Sequence, residues 1–219
     1  MKKEILFGIP IHCIKIDPKS YNKKQIIKII KHNYKINKFR DKGYDQGESN
    51  IHHSYHDLDN KKFKNIDYRK VGLMDVYDKV FKTFTNDILK HKKHFLYKYD
   101  IVNYTAMQQN QFMTSHQHLP SADFSAVHYI QFDEKKHTPT AFINTHDFSS
   151  YLEYIRTTFI KCCDDSNLDN SYLFPRYKYS AKEDEMIIFP SCLKHEIPRQ
   201  PHNLNKLRIT IASNLTIKQ

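Results

Sequence analysis

The sequence predicts an α+β fold in which two N-terminal helices precede a β sandwich or barrel. Residues 73–89 carry apolar side chains at steps of three and four, the period of a helix with one buried face. From Phe95 onward, short β-branched and aromatic runs alternate with polar breaks, which is typical of successive strands. The chain has 219 residues, 39% of them hydrophobic and 13% aromatic, so it should fold around one core of ordinary size.

The first third of the chain is expected to support the β-rich part from outside. Residues 5–16 favour strand and contain a proline, which predicts an edge strand or a strand that leads into the sheet. Ser20 is a candidate N-cap for a helix that extends to about Lys35. Residues 38–70 are polar and predict an extended surface loop, in which the histidines of IHHSYHD are solvated.

Residues 95–219 contain an insertion and five runs that predict strands. The runs are FLYKYDIVNYTAM, FSAVHYIQF, TAFIN, DEMIIFP and LRITIASNLTI. The insertion covers residues 148–178, where FSSYLEYIRTTFIKCC predicts a short helix and DDSNLDN a loop. We expect one domain over 1–219, with a helical support region at 1–94 and a β core at 95–219.

Composition argues against several classes of protein. The chain has 4 glycines and lacks both G-x-G-x-x-G and G-x-x-x-x-G-K-[ST], so a glycine-rich phosphate loop is not expected. No apolar run approaches the roughly 20 residues that span a bilayer. Lys15, Asp17 and Lys19 interrupt the N-terminal apolar stretch, unlike a signal peptide, and the 4 cysteines form no C-x-x-C pair. These features predict a soluble, cytoplasmic protein with no membrane partner.

The net charge of +11 raises the possibility of a nucleic-acid partner. Most of the basic residues are lysines, which lack the bidentate fork of arginine, and they are scattered along the chain. General solubility and loose affinity for polyanions are therefore the expectation. A basic nucleic-acid-binding or virion-associated protein remains an alternative.

Three histidines in the β-rich part are candidate metal ligands. His116 and His118 are two residues apart, so in a strand their side chains would point to the same face. The apolar run 185–190 ends at a proline, and His195 follows after a short turn. From that position His195 can rejoin the other two histidines across the sheet.

Arg208 is a candidate anion-binding residue. In the run LRITIASN, Arg208 and Thr210 share one face, while Leu207, Ile209 and Ile211 take the other. A guanidinium inside a small barrel is costly unless an anion pairs with it, and its planar fork matches a carboxylate. The alternative is an edge-strand arginine in solvent.

The order of these segments resembles the 2-oxoglutarate- and iron(II)-dependent oxygenases, in particular a group from marine bacteria and their tailed phages. That group carries F-x-x-P-[IV], H-x-H-[LP]-P, S-x-V-x-Y, F-P-S-x-x-x-H and R-I-[ST]-I-[AS]-x-N. The corresponding segments here are Phe7 to Ile11, His116 to Pro120, Ser125 to Tyr129, Glu183 to Pro198 and Arg208 to Asn214. The resemblance covers about half the chain and implies a double-stranded β-helix (jelly-roll or cupin-like) core.

The resemblance also implies an iron(II) site with His116, His118 and His195 as ligands. His118 stands where most such oxygenases have a carboxylate. A site with three neutral imidazoles has one more positive charge than a site with two histidines and a carboxylate. Asp123 or Asp147 would restore the ordinary carboxylate if either were a ligand.

The cosubstrate implied by the resemblance is 2-oxoglutarate, with dioxygen as the oxidant. Arg208 would bind its C5 carboxylate, with Thr210 alongside and Tyr129 as a hydroxyl donor from the facing strand; His128 should face away from Tyr129. The implied reaction is hydroxylation coupled to decarboxylation of 2-oxoglutarate to succinate. The substrate class stays open between a peptidyl residue, a nucleobase and a small molecule. A second reading is a cupin-like three-histidine metal enzyme that does not use 2-oxoglutarate.

Overall fold

The computed structural model describes residues 2–6, 9–37, 50–54, 61–88, 96–144, 176–202 and 204–218. Two helices lie in this part of the chain, α1 (Lys23–Ile36) and α2 (Leu73–Thr83), and a π-helical turn (Phe84–Ile88) continues α2. The strands are β1 (Lys2–Leu6), β2 (Ile9–Lys15), β3 (His52–His53), β4 (Leu96–Met107), β5 (Met113–His116), β6 (Phe124–Gln131), β7 (Ala141–Ile143), β8 (Arg176–Lys178), β9 (Glu185–Pro190), β10 (His195–Ile197) and β11 (Arg208–Lys218).

The strands form two antiparallel sheets. The larger sheet has seven strands in the order β1-β2-β9-β6-β11-β4-β3, and the smaller has four in the order β5-β10-β7-β8. The fold is a double-stranded β-helix with two helices packed on it, which confirms the predicted fold class. The five runs predicted as strands become β4, β6, β7, β9 and β11.

The two faces of the larger sheet pack against different partners because side chains alternate along each strand. One face, here called the helix face, packs on α1 and α2 through residues of β6, β9 and β11. Its members include Ala126, Ile130, Met186, Ile188, Ile209 and Ile211. The opposite face, here called the cavity face, carries Tyr129, Ile187 and Phe189, which form a second cluster with Phe142 of the smaller sheet.

Both helices were predicted, and one of their boundaries differs. The N-cap of α1 is Asn22, whose side-chain oxygen accepts from the Gln25 N–H at 3.1 Å, and not Ser20. The Ser20 hydroxyl donates instead to the Asp17 carbonyl at 2.6 Å, within a turn that precedes the helix. Gly72, at φ +75°, precedes α2. Neither helix is long and apolar enough to cross a bilayer.

The prediction of a solvated loop was wrong at His52 and His53. Both side chains are buried, and the two residues form β3, which pairs with Thr105 and Ala106 of β4. The His52 ring lies 5.6 Å from the Tyr104 ring, inside the protein. A two-residue strand carries no periodicity that a sequence could reveal.

Several other predictions fall outside the described residues. The helix and loop expected within 148–178 lie there, except for β8 at its end, and so does Asp147. The division into a support region and a β core stays a prediction, although β1, β2 and β3 of the first region belong to the larger sheet.

His128 lies on the helix face, opposite to Tyr129 as predicted. Its side chain is fully buried, and its Nδ1 lies 3.0 Å from the Tyr77 hydroxyl of α2. Burial disfavours the imidazolium and lowers the pKa of His128 from 6.5 to about 3.

We predict that His128 makes the fold sensitive to acid. The unfolded chain takes up a proton near pH 6.5, while the folded chain resists protonation down to about pH 3. The unfolding free energy therefore decreases as the pH is lowered from 6.5 to about 3. His128→Gln should flatten the pH dependence of the unfolding free energy between pH 6 and 4, by at most about 1.4 kcal/mol per pH unit. Urea unfolding followed by circular dichroism measures this, and the exposed His202→Gln is the control. Equal slopes in parent and His128→Gln would contradict the assignment.

Candidate metal centre

The structure brings His116, His118 and His195 together. His116 ends β5 and pairs directly with His195, the first residue of β10. His118 follows β5, where its N–H donates to the Ser191 carbonyl at 3.1 Å. One side-chain nitrogen from each histidine lies within 4.8 Å of the other two, a separation that one metal ion can bridge.

Hydrogen bonds orient all three imidazole rings. Nδ1 lies 3.0 Å from the Thr114 carbonyl in His116 and 3.1 Å from the Leu193 carbonyl in His195. In His118, Nδ1 lies 2.7 Å from Oδ1 of Asn214. Since these partners are acceptors, we assign the proton of each ring to Nδ1, which leaves the Nε2 lone pair for a metal. Such support is typical of histidines that bind metals.

His195 is held in its neutral form. It is only 4% exposed, and its ring lies 4.9 Å from the ring of Phe189 on the cavity face. Burial lowers the pKa of His195 well below its ordinary value, and the neighbouring His116 and His118 lower it further. Neutral imidazole is the form that binds a metal.

Within the described part of the chain, the histidine group includes no carboxylate. Asp123, one of the two predicted alternatives, accepts a hydrogen bond from the Ile217 N–H at 2.7 Å through Oδ2. Its backbone bonds to Leu215 and Ser191, which fixes the segment between β5 and β6. Asp123 therefore has a structural task in this conformation, and the three side chains that the described residues bring together all offer nitrogen donors.

A cavity of about 540 Å³ opens from the three histidines across the cavity face of the larger sheet. That volume is in the range of small-molecule sites. Its lining includes Thr105 of β4, Thr140 ahead of β7, and Thr210 and Asn214 of β11. The wall that the structure describes contains no acidic side chain that would repel an anionic ligand.

Arg208 lies behind this wall and is fully buried. Its Nε donates to the Thr138 carbonyl at 3.1 Å, while its two terminal nitrogens lie 3.4 Å and 3.5 Å from the hydroxyls of Thr140 and Thr210. The last two contacts are at the long limit for a hydrogen bond. Among the described residues Arg208 has no carboxylate partner, which is unusual for a buried guanidinium.

The other residues predicted to bind the cosubstrate are distributed around Arg208. Thr210 lines the cavity directly. Tyr129 lies one layer deeper: its ring centre is 5.4 Å from the guanidinium carbon of Arg208, and its hydroxyl donates to Thr140 at 2.8 Å. Thr140 thus connects both buried residues to the cavity. Its sequence context, a loop threonine before a three-residue strand, gave no signal of this role.

Asn103 is a second residue that the sequence did not indicate. β4 bulges there, since Ala212 of β11 pairs with Asn103 and Ser213 with Ile101, which leaves Val102 as an extra residue. Val102 and Asn103 both line the cavity as a result. Asn103 is 8% exposed, and its Oδ1 has no hydrogen-bond partner among the described residues. It lies along β4 between the Thr105 end of the cavity and the histidines.

The sequence from residue 103 to 214 matches the family described as "Putative 2OG-Fe(II) oxygenase". The match covers just over half of the chain and contains the three histidines, Arg208 and Asn103. The chain belongs to this oxygenase family. The family depends on iron(II) and 2-oxoglutarate and is a class of oxidoreductases, and its cosubstrates are 2-oxoglutarate and dioxygen. Among curated proteins, none is significantly similar to this oxygenase in sequence.

Two solved structures that are similar to this chain are distant from it in sequence. A prolyl-4-hydroxylase from Pseudomonas putida has a TM-score of 0.51 at 8% identity, over 94% of this chain and 91% of its own. A viral collagen prolyl hydroxylase from Paramecium Bursaria Chlorella virus-1, in complex with 2-oxoglutarate, has a TM-score of 0.48 at 11% identity, over 94% of both chains. The likeness to the Pseudomonas enzyme supports the fold.

A third similar structure is an oxidoreductase of the 2OG-Fe(II) oxygenase family from Burkholderia pseudomallei. It has a TM-score of 0.46 at 11% identity, over 70% of this chain. The oxygenase described here spans 60% of the length of that protein.

We predict that Asn214→Ala weakens the binding of a divalent transition metal by about 10–100-fold, because His118 loses the acceptor that orients its ring. Competition of Co(II) between the protein and a chromophoric chelator measures the affinity. Thr216→Ala is the matched control, since Thr216 is also half-buried and lies two residues farther along the same face of β11. An unchanged affinity in Asn214→Ala would exclude this support.

Proposed function

We propose that the protein is an Fe(II)- and 2-oxoglutarate-dependent dioxygenase that hydroxylates a substrate while 2-oxoglutarate is decarboxylated to succinate. The observation that carries this proposal is the placement of Arg208. A buried guanidinium without an acidic partner among the described residues lies behind one cavity, and three converging imidazoles lie at the same cavity. A metal at one site and a dicarboxylate that reaches the other would satisfy both.

The three histidines would hold iron(II). Imidazole suits iron, and the hydrogen bonds to Thr114, Leu193 and Asn214 fix the rings before a metal arrives. Bound iron with 2-oxoglutarate and dioxygen supplies the oxidising chemistry, which no amino-acid side chain provides. The protein would contribute binding, orientation and the cavity beside the three histidines.

The threonines and Arg208 would hold the distal carboxylate of 2-oxoglutarate. The hydroxyls of Thr140 and Thr210 are at the cavity surface, and the positive charge of Arg208 lies directly behind them. Tyr129 donates to Thr140, which leaves the Thr140 proton available for a ligand. A carboxylate there replaces two long contacts with charge-assisted hydrogen bonds.

Asn103 would contact the middle of the bound cosubstrate. Its carboxamide lies between the anion end of the cavity and the metal end, and its Oδ1 is buried without a partner in the described part of the chain. The dianion of 2-oxoglutarate offers acceptors and no donors, so the part of the carboxamide that it can bond to is Nδ2. In this arrangement Nδ2 of Asn103 would donate to an oxygen of the cosubstrate.

Substrate, source and location are part of the proposal at a coarser level. The cavity suits a peptidyl residue, a nucleobase or a small molecule as the hydroxylated group. The H-x-H-L-P segment supports a source in a marine bacterium or a tailed phage. We place the enzyme in the cytoplasm, which is the host cytoplasm if the gene is viral.

A second candidate is a three-histidine metal enzyme that does not use 2-oxoglutarate. Two observations favour it. The described ligand group has no carboxylate, and Arg208 and Tyr129 lie behind the cavity wall and do not line it. In that case Arg208 would serve the fold alone.

We predict that Arg208→Gln raises the KM for 2-oxoglutarate by about 10–100-fold, because a charge-assisted pair with the C5 carboxylate contributes about 1.5–3 kcal/mol. Succinate formation measures the KM, and the absorption band that 2-oxoglutarate induces in the anaerobic ferrous protein measures binding. Arg199→Gln is the control, because Arg199 is exposed and stacks on Phe112. Turnover that needs no 2-oxoglutarate favours the second candidate. An unchanged KM in Arg208→Gln with folding intact would contradict the pairing of Arg208 with the C5 carboxylate.

We also predict that Asn103→Ala weakens 2-oxoglutarate binding by about tenfold without lowering stability, because Nδ2 would donate to an oxygen of the ligand, while Oδ1 has no partner among the described residues to lose. The matched control is Ser213→Ala, since Ser213 Oγ is also buried without a described partner. Ser213 alternates with the cavity-lining Ala212 and Asn214 and does not line the cavity. Ser213→Ala should leave binding unchanged. A loss of stability in Asn103→Ala with unchanged binding would contradict the assignment.

A further inference from the structure

Helix α1 carries a row of exposed lysines along its outer side. Lys24, Lys28, Lys31 and Lys35 recur at steps of three and four, which places them on one face. They line a shallow groove of about 430 Å³ together with Ile27 and His32. The expectation that the lysines are scattered is thus wrong for this helix, because the helical period of about 3.6 residues places four of them on the same side.

A neighbouring segment extends this lysine face. The Asn33 carboxamide donates to the Lys64 carbonyl and accepts from its N–H, both at 2.9 Å. These bonds hold residues 61–64 beside α1, and the side chains of Lys61, Lys62 and Lys64 are exposed. No aspartate or glutamate occurs in residues 18–37 or 61–66. Within these two ranges the charged side chains are therefore all basic.

The four lysines of α1 also form no ion pair with any residue that the structure describes. Lys23 makes the contrast clear, since it binds Glu183 at 2.8 Å and also contacts Asp184. Lys23 thus ties the helix to the sheet, while in the described part of the chain no carboxylate pairs with its neighbours on the outer side. Such a surface attracts polyanions.

The geometry distinguishes between polyanions. An amphipathic helix that lies in a membrane interface inserts apolar side chains, yet Ile26, Ile30 and Tyr34 of α1 are buried in the protein core. The row from Lys24 to Lys35 extends about 16 Å along the helix. Point charges at regular helical spacing match the regularly spaced phosphates of a duplex, which lysine contacts without reading the sequence.

We propose that the lysine face of α1 binds the phosphate backbone of duplex nucleic acid. This surface is separate from the metal cavity, because α1 packs on the helix face of the larger sheet and the cavity lies on the other face. The proposal goes beyond the enzymatic function and does not depend on it. The interaction would localise the protein on nucleic acid whatever the cavity oxidises.

The test uses the full chain and a fluorescein-labelled DNA duplex of about 20 base pairs, with binding followed by anisotropy over a range of salt. The variant is Lys24→Gln/Lys28→Gln/Lys31→Gln/Lys35→Gln. Since each phosphate contact contributes about 0.9 to the slope of log K against log salt, the slope should fall by up to about 3.6. Binding near 0.1 M salt should weaken by at least about tenfold.

The control is Lys79→Gln/Lys82→Gln/Lys135→Gln/Lys178→Gln, which removes four exposed lysines elsewhere and so makes the same change in net charge. It should keep most of the affinity and the slope. Equal losses in the two variants would show a diffuse charge effect and overturn the proposal. Tighter binding to a single strand of equal length, or to phosphatidylserine vesicles, would also overturn it. Co(II) affinity in both variants verifies folding and is expected to match the parent.

Discussion

The two-residue alternation of the central strands is the constraint on which the molecule depends. In β11, Ile209 and Ile211 must face the helices, so Arg208 and Thr210 must face the cavity. A slip of one residue would move the guanidinium into the apolar layer under α2 and the isoleucines into the cavity. Packing of the helices on one face of the sheet therefore fixes the position of the Arg208 charge on the other face. In this way the hydrophobic core determines the geometry of the candidate site.

The sequence predicts the parts of the fold that repeat over many residues. β4, β6, β9 and β11 are long enough to show alternation, and α2 shows its buried face over three turns. β3, β5, β8 and β10 contain two to four residues and show no period, so their pairing, and the burial of His52, depend on contacts distant in sequence. The three histidines and Arg208 could be predicted from the sequence because short motifs mark them. The roles of Thr140 and Asn103 could not, because their positions in the cavity depend on a loop and on a β-bulge.

The sheet separates two kinds of electrostatics. On the cavity face, a single buried guanidinium acts through a wall of hydroxyls in a region of low dielectric, where one charge has a strong and local effect. On the helix side, several lysines act together in water, where salt screens each of them within about 10 Å. Oxidation and docking would therefore respond differently to ionic strength, and the layer of apolar side chains between them keeps the two independent.

The support of the three imidazoles is unequal in a way that matters for divergence of the sequence. The rings of His116 and His195 bond to main-chain carbonyls of Thr114 and Leu193, which every residue type supplies. The ring of His118 bonds to a side chain, that of Asn214. A substitution at one codon, that of Asn214, can thus remove the hydrogen-bond acceptor of His118 and leave the acceptors of His116 and His195 intact. An aspartate in place of the asparagine would add a negative charge beside the candidate metal site and leave the three histidines unchanged.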